Sequence, residues 1–390
     1  MFRKTKAVVV VLAVSGTLVP AALAPAGPAR PVFADVPADH WAAAAIKAVA
    51  ADRDWLRDHG DSTFRPEDPL LRRHLARAVI RAFAPSERPG PRFSDLKRSD
   101  PFFPSASAAV RLGWMRKAGK RFRPDDQVTT GELDQTLTRA LGLTEEIHGL
   151  NSIRTADGKP LAHPQDLGER VLAHQLGLHY NHPTSAEARE LVPGGGVLRA
   201  DGAYALWKAT AARSKSASLA RYRRVVLPRL TPARRTLVEF ALSFAGYPYV
   251  WAGEWHTATP PGYCCGAQPR GGFDCSGYAW WVLRAASEGW DNSAVRPYAG
   301  WALPERSSRE MARATTTRLP FEQSRPADLM FFSTRGGTQW KDVDHAGIYL
   351  GNGWMIHSAG GVDGVSVDSV KSGWYRDRFL WSRRLVPLGT

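Results

Sequence analysis

The fold of the C-terminal part of this chain is decided by the stretch Phe273-Asp274-Cys275-Ser276-Gly277, which places a cysteine before an apolar run. The run Tyr278-Ala279-Trp280-Trp281-Val282-Leu283 predicts a buried helix. A thiol at the start of a helix lies near unpaired backbone N–H groups and the positive end of the helix dipole, and both favour the thiolate. Because the thiolate is the form that attacks carbonyl carbon, the pattern predicts that Cys275 is a nucleophile.

Two histidines further along the chain flank a turn signal. His345 opens one apolar run and His357 lies in the next, with Gly351-Asn352-Gly353 between them. Gly-Asn-Gly between apolar runs predicts a β-hairpin. The two histidines are equally far from Gly351, so a hairpin centred on that residue would place their imidazoles opposite each other. We therefore predict His345 as the base and His357 as the polar group that orients it.

Five motifs in this part of the chain occur in a recognisable order. They are Pro248-Tyr249-Val250-Trp251, Phe273-Asp274-Cys275-Ser276-Gly277, Pro326-Ala327-Asp328-Leu329, the run from His345 to Gly353, and Ile356-His357-Ser358. Together they resemble the NlpC family of papain-like cell-wall cysteine peptidases over roughly residues 235–390. The resemblance implies an α+β, papain-like domain with an antiparallel sheet, and a catalytic set formed by Cys275, His345 and His357.

The same resemblance implies roles for three further residues. It places the Tyr249 hydroxyl near the oxyanion, and Asp274 and Ser276 beside the subsite for the free end of the stem peptide. Two alanines, Ala252 and Ala327, depart from the family, in which glycine is usual at these positions.

The first half of the chain contains a degenerate repeat around a turn motif. Phe64-Arg65-Pro66-Glu67-Asp68 recurs as Phe122-Arg123-Pro124-Asp125-Asp126, and a weaker third copy is Leu191-Val192-Pro193-Gly194-Gly195. A helical pattern precedes each copy and another follows it. We predict helices over residues 40–51, 71–83, 106–114, 131–143, 167–178 and 201–211.

This unit resembles the S-layer homology repeat, with copies at about residues 33–86, 93–145 and 165–212. The resemblance implies an all-α module that packs as a pseudo-threefold prism and binds cell-wall polysaccharide. In that family an arginine that opens the second helix helps to bind the acidic glycan. Arg72 and Arg199 occupy this position, and Thr130 replaces it in the second repeat. Wall-polymer binding and a packing role for these side chains are equal alternatives at this point.

Residues 1–26 have the pattern of an export signal, with basic residues before an apolar run and small residues after it. The apolar run, residues 7–19, is shorter than the roughly 20 residues that a spanning helix needs. We therefore expect a cleaved signal peptide, no membrane span, and a mature protein that is secreted and extracellular or associated with the cell wall.

The chain of 390 residues has a formal net charge of +15 and a sequence pI near 10.0, which suits an acidic polymer partner. No nucleic-acid-binding motif is present, so we expect an anionic wall polysaccharide and no nucleic acid. Residues 213–234 are basic and predict a linker. Two of the three cysteines, Cys264 and Cys265, are adjacent and lack ordinary zinc-ligand spacing, so we expect no metal site and no cofactor.

These patterns together predict a secreted peptidoglycan hydrolase. The resemblance implies a cysteine endopeptidase that cleaves stem-peptide amide bonds, typically between D-glutamate and a diamino acid. Two alternatives stay open: an N-acetylmuramoyl-peptide amidase of the same superfamily, and a non-catalytic wall-binding protein.

Overall fold

The structure of this protein is a computed structural model that describes residues 33–56, 60–258, 268, 270–288 and 303–386. The predicted signal peptide, Cys264 and Cys265 lie outside the described residues. Within the described part of the chain, no helix combines the length and apolar character that crossing a membrane requires.

The N-terminal part is helical, as the repeat pattern predicts. Helices lie close to the predicted spans, and their starts and ends differ from them by no more than three residues. The first predicted helix changes character along its length, since its last turn is a π-helical one, Lys47–Ala51. The helices are α1 (Ala43–Ile46), α2 (Arg72–Phe83), α3 (Phe103–Arg111), α4 (Thr130–Ala140), α5 (Thr144–Asn151), α6 (Leu167–Leu176) and α7 (Arg199–Ala211).

The strand-like segments before α2, α4 and α7 form a closed ring of hydrogen bonds. Leu70 N–H donates to Val197 O at 2.9 Å, Val197 N–H donates to Val128 O at 2.9 Å, and Val128 N–H donates to Leu70 O at 2.8 Å. Each of the three segments therefore pairs with the other two, and this is a pseudo-threefold arrangement built from backbone groups alone.

The residues that open α2, α4 and α7 extend this threefold relation to side chains. Arg72 Nε donates to Phe122 O at 3.0 Å, and Arg199 Nε donates to Phe64 O at 2.8 Å. In the second repeat the Thr130 hydroxyl donates to Val192 O at 3.0 Å. Each opening side chain thus satisfies a carbonyl in the turn of another repeat, and the three turns are joined in a cycle.

Both arginines that we considered for polymer binding are buried, each with 1% of its surface exposed. The guanidinium of Arg199 also lies 4.7 Å from the centre of the Phe64 ring, and burial lowers its pKa to about 10. Arg72 contacts the carboxylate of Glu132 and the carbonyl of Arg116. The structure thus gives both side chains a packing role. Of these two arginines, Arg72 borders a cavity of about 540 Å³ that is lined mainly by residues of the second repeat, with Gln165 and Asp166 from the third.

The C-terminal part is an α+β domain. Its main strands are β5 (Leu329–Phe332), β6 (His345–Gly351), β7 (Trp354–Ala359), β8 (Gly364–Ser369) and β9 (Phe379–Arg383). Its helices are α8 (Pro232–Leu242), α9 (Cys275–Glu288), α10 (Ser308–Arg313) and α11 (Trp374–Arg378). The five strands form an antiparallel sheet with the order β8-β7-β6-β5-β9. Helix α9 packs against strands β6 and β7, so the start of that helix lies beside the centre of the sheet.

Four two-residue strands lie outside this sheet: β1 (Arg154–Thr155) pairs with β2 (Val226–Leu227), and β3 (Glu254–Trp255) pairs with β4 (Gly272–Phe273). The alanines that replace the usual glycines, Ala252 and Ala327, have φ angles of +60° and +70°. This left-handed conformation costs an alanine about 1–2 kcal/mol, so both sites hold backbone strain.

The predicted linker is held to the folded parts by buried apolar side chains, while most of its basic side chains are exposed. Residues 212–223 form a 3₁₀ segment in which Tyr222 is fully buried. The Tyr222 hydroxyl donates to Val367 O at 2.8 Å, and its ring lies 5.4 Å from that of Trp354. The segment that joins the two parts of the chain is therefore anchored to strands β7 and β8.

Candidate active site

Cys275 is the first residue of α9, where the sequence predicts it. Asp274 directly before it accepts hydrogen bonds from the Ser276 hydroxyl at 2.9 Å and from the Gly277 N–H. Gly277 is required here because a Cβ atom at this position would lie 1.9 Å from Gly253 O. The capping carboxylate and the close packing against the turn at Gly253 fix where the helix begins, and hence where the sulfur lies.

The sulfur of Cys275 lies against the backbone on both sides of His345. Sγ is 4.0 Å from Asp344 O, and the N–H groups of Ala346 and Ser276 face it. Burial raises the pKa of the Cys275 thiol to about 12, even though these N–H groups favour the thiolate. The helix start favours the thiolate, as expected from the sequence, but desolvation opposes its formation more strongly.

The two histidines are in direct contact, as predicted, but through a different strand register. His345 Nε2 lies 2.8 Å from His357 Nδ1. The β6–β7 pairing joins Ile348 to Ile356 and Tyr349 to Met355, and one further step places His357 opposite Gly347. The prediction that His345 and His357 are direct cross-strand partners is wrong. The turn is centred on Asn352 and Gly353, both with positive φ, and a bulge at Leu350 precedes it in β6.

Burial lowers the pKa of His345 to about 4, and burial together with His345 lowers the pKa of His357 well below its usual value. Both rings are therefore neutral at pH 7 in the free protein. Within the described part of the chain, His357 Nε2 has no hydrogen-bond partner.

Tyr375 is a residue of this site that sequence reasoning missed. It lies in α11, and its ring centre is 4.9 Å from that of His357 and 5.8 Å from that of His345. Burial and the nearby Asp368 and Cys275 raise the pKa of its hydroxyl. Since α11 is a single turn far along the chain from Cys275, no spacing pattern in the sequence indicates this contact.

Tyr249 lies on the same side of the site as the sulfur. Its backbone pairs with Phe273, and its ring faces Gly360, at which a Cβ atom would lie 3.6 Å from the ring. Burial, Cys275 and Asp274 raise the pKa of the Tyr249 hydroxyl, which therefore stays protonated and able to donate.

Arg306 is the second residue that the sequence did not indicate, and it covers the predicted peptide subsite. Its Nη1 lies 3.0 Å from Ser276 Oγ and 3.3 Å from Asp274 Oδ1, and its Nε donates to Glu254 Oε2 at 2.6 Å. The predicted subsite residues Asp274 and Ser276 are thus brought together, with a cation already bound to both.

Comparison with known proteins bears on both parts of the chain. Residues 246–384 match the family model described as NlpC/P60 family, and residues 92–133 match that of the S-layer homology domain. The chain is 32% identical over 146 residues to the bifunctional muramidase/DL-endopeptidase CwlT of Bacillus subtilis (strain 168), covering 37% of this chain and 34% of the relative. It is 31% identical over 150 residues to the probable peptidoglycan endopeptidase LytE of the same organism, covering 38% and 33% respectively.

The chain thus spans about a third of the length of these two curated relatives. Among solved structures, it is 26% identical to an NlpC/P60 family protein from Bacillus cereus ATCC 10987, with a TM-score of 0.30 over 40% of this chain and 42% of that one. The NlpC/P60 match covers the region that contains Cys275, His345 and His357, and the S-layer homology match lies in the region of the helical repeats. The chain therefore carries an NlpC/P60 domain in its C-terminal part and an S-layer homology domain in its N-terminal part.

Proposed function

We propose that this protein is a peptidoglycan hydrolase, a cysteine endopeptidase that cleaves stem-peptide amide bonds between D-glutamate and a diamino acid. The observation that carries the proposal is the sulfur of Cys275 at a helix start, against the peptide groups that flank His345, with His345 bonded to His357. The names of the relatives CwlT and LytE, a DL-endopeptidase and a peptidoglycan endopeptidase, support the substrate class.

The proton route follows from the histidine contact. Because His345 Nε2 is engaged with His357 Nδ1, the nitrogen left for the thiol is His345 Nδ1. For Nδ1 to accept the thiol proton, Nε2 must carry a hydrogen and donate it to His357. His357 thereby holds His345 in the tautomer that can act as a base, which is the positioning role proposed for it.

In the proposed reaction, Cys275 transfers its proton to His345 as the sulfur attacks the peptide carbonyl carbon. The thiolate of Cys275 and the imidazolium of His345 together carry no net charge. Burial therefore opposes this proton transfer less than it opposes the ionisation of either group alone. The oxyanion accepts hydrogen bonds from backbone N–H at the helix start and from the Tyr249 hydroxyl. Each of these hydrogen bonds stabilises the transition state by about 3 kcal/mol. His345 then protonates the leaving amine, and water, deprotonated by His345, releases the acyl group as a carboxylate and restores the thiol.

We propose that the N-terminal repeats hold the secreted enzyme at the wall. The S-layer homology match and the excess of positive charge support this role, and an anionic polysaccharide is the polymer that fits that charge. Because Arg199 is buried, we expect the polysaccharide to contact other residues, such as those that line the cavity beside Arg72.

Digestion of purified sacculi tests the enzymatic proposal. The mature chain should release muropeptide fragments that mass spectrometry assigns to a cut within the stem peptide, and Cys275→Ala should release none. Circular dichroism and Tm must show that the variant is folded. Intact stem peptides freed from glycan would instead identify an amidase, and equal release by Cys275→Ala would overturn the cysteine mechanism.

Co-sedimentation tests the wall-binding proposal separately. Folded Cys275→Ala should pellet with sacculi that retain their anionic polysaccharide and stay in solution when that polymer has been removed by mild acid. Equal binding to both preparations would contradict the anionic polymer as the partner.

A further inference from the structure

Three buried side chains that the proposed reaction does not use meet where the two parts of the chain are in contact. His174 lies near the end of α6 and His179 follows that helix, whereas Asp363 lies in the turn between β7 and β8. One potential ligand atom from each lies within 4.8 Å of those from the other two. Their exposed fractions are 0%, 3% and 4%, so water does not solvate this cluster from outside.

Each histidine uses one ring nitrogen for an anchoring contact. His174 Nδ1 lies 2.9 Å from Val362 O, and because a carbonyl only accepts, Nδ1 carries the hydrogen. His179 Nε2 lies 2.7 Å from Asp134 Oδ1 in a buried contact. A backbone carbonyl and a carboxylate are the groups that typically orient metal-binding histidines from behind.

The opposite atoms of these side chains have no partner in the described part of the chain. They are His174 Nε2, His179 Nδ1 and both carboxylate oxygens of Asp363. The Gly246 backbone is near His174 but makes no hydrogen bond with Nε2. Orphaned polar atoms are rare in protein interiors and a buried carboxylate without partners is costly, so their convergence here calls for a ligand.

Glu190 is a further buried carboxylate beside this cluster, although it is not among the three residues whose ligand atoms lie within 4.8 Å of one another. It is fully buried and lies within electrostatic reach of Asp363. Its Oε1 accepts a hydrogen bond from His182 N–H at 2.6 Å, while its Oε2 has no partner among the residues described. Two imidazoles and two carboxylates form a neutral set with a divalent cation, because the charge of the ion balances that of the two acids.

We propose that His174, His179 and Asp363, with Glu190 as the fourth ligand, bind one divalent transition-metal ion that fastens the N-terminal module to the NlpC/P60 domain. Two imidazole nitrogens favour Zn²⁺ and its neighbours in the transition series over Ca²⁺ and Mg²⁺, which prefer oxygen ligands. Neighbouring ligands around tetrahedral Zn²⁺ are about 3.3 Å apart, so the separations of up to 4.8 Å among the ligand atoms of His174, His179 and Asp363 close by small side-chain rotations, and Glu190 would turn its free oxygen toward the ion.

The position of the site indicates a structural role. Asn181 Nδ2 donates to Gly360 O at 3.1 Å and Gln175 Nε2 donates to Ser366 Oγ at 3.2 Å, so the ligands lie inside an existing contact between the module and the β7–β8 turn. Strand β7 also carries His357. Bound metal would therefore fix the turn that follows the proposed orienting histidine. The expectation of no metal site rested on the spacing of Cys264 and Cys265, whereas the ligands proposed here lie far apart in the chain and share no motif.

Metal content of the full mature chain is the direct test, and it does not depend on enzymatic activity. All three cysteines are first changed to serine, so that neither Cys275 nor the Cys264-Cys265 pair can bind the ion. After equilibration with Zn²⁺ and gel filtration, this background protein should retain one Zn²⁺ per chain by mass spectrometry of the metal. Zn²⁺ should raise Tm by about 5 °C at 100 times Kd, and a chelator should reverse the rise.

Ligand variants and matched controls locate the ion. His179→Gln and Asp363→Asn should each lower the retained Zn²⁺ at least fivefold, whereas the exposed His148→Gln and Asp39→Asn should retain one ion. Co²⁺ added to the background protein should give the d–d absorption of a tetrahedral nitrogen–oxygen site, a readout that needs no ligand variant to fold. The absence of stoichiometric Zn²⁺ in the background protein, or its retention by both ligand variants, would overturn the proposal and leave the cluster as a proton-sharing network.

Discussion

His345 Nε2 lies 2.8 Å from His357 Nδ1, although the strand register places His357 opposite Gly347 rather than His345. The two imidazoles are thus diagonal neighbours on one face of the hairpin. A diagonal pair lies further apart than a direct pair and meets only when the side chains lean toward each other. Gly347 leaves that space open, because a Cβ atom there would lie 3.1 Å from His357 Cβ and 3.2 Å from the Met355 sulfur.

Gly347→Ala should therefore damage activity more than stability. The added methyl pushes on His357, and a misplacement of about 1 Å in a catalytic geometry can cost on the order of 100-fold in rate. We expect kcat on a stem-peptide substrate to fall about 10–100-fold, with only a modest loss in Tm. Gly60→Ala, which adds a methyl in open space, is the control and should leave both unchanged. Wild-type kcat in Gly347→Ala would show that the histidine contact tolerates displacement.

His357→Ala should lower kcat by about 10–100-fold, the usual effect of removing a group that orients a functional histidine. His357→Asn should recover part of the rate, because its amide oxygen can accept the hydrogen of His345 Nε2. Steady-state kinetics on a defined peptide measure both variants. Ile356→Val on the opposite face of β7 is the matched control and should cost about 1 kcal/mol of stability without lowering kcat. A kcat within twofold of wild type in His357→Ala would contradict the positioning role.

The acid limb of the pH–rate profile should lie well below the ordinary range of histidine. A base must be neutral to accept a proton, and burial lowers the pKa of His345 to about 4. Activity should therefore persist as the pH falls through 6.5 and be lost only as it approaches 4. The thiol pKa near 12 predicts no alkaline limb from Cys275 below about pH 10. Measurement of kcat/KM from pH 3.5 to 9 checks this expectation, and an acid limb with a midpoint near 6.5 would refute it.

Arg199→Ala should destabilise the N-terminal module rather than remove a ligand contact. The change orphans buried carbonyls, including that of Phe64, and leaves space over the Phe64 ring, at a cost of about 2–4 kcal/mol. Urea unfolding measures this loss, with the exposed Arg98→Ala as a neutral control. Co-sedimentation with sacculi should fall only as far as the folded fraction falls. A fully folded Arg199→Ala that no longer binds wall would restore the polymer-binding interpretation.

Several elements were predictable because their signals are local. Helix α9 is encoded by a capping Asp274 and an apolar run, and the hairpin by Asn352-Gly353, which favours positive φ. The register of the hairpin was not predictable, because the bulge at Leu350 shifts the pairing without leaving a signal in the residue types. Tyr375 and Arg306 were missed for a related reason, since each reaches the site from an element distant in sequence.

The sequence by itself determined the chemistry that is available: a cysteine at a helix start, two histidines on a hairpin, and a repeated turn that predicts three helical units. Motifs determine these features because the interactions that form them join residues close together in the chain. Only the tertiary structure decided the ionisation of the Cys275 thiol, the burial of Arg72 and Arg199, and the meeting of His174 and His179 with Asp363. Desolvation and long-range contact set these properties, and both depend on which distant segments pack together.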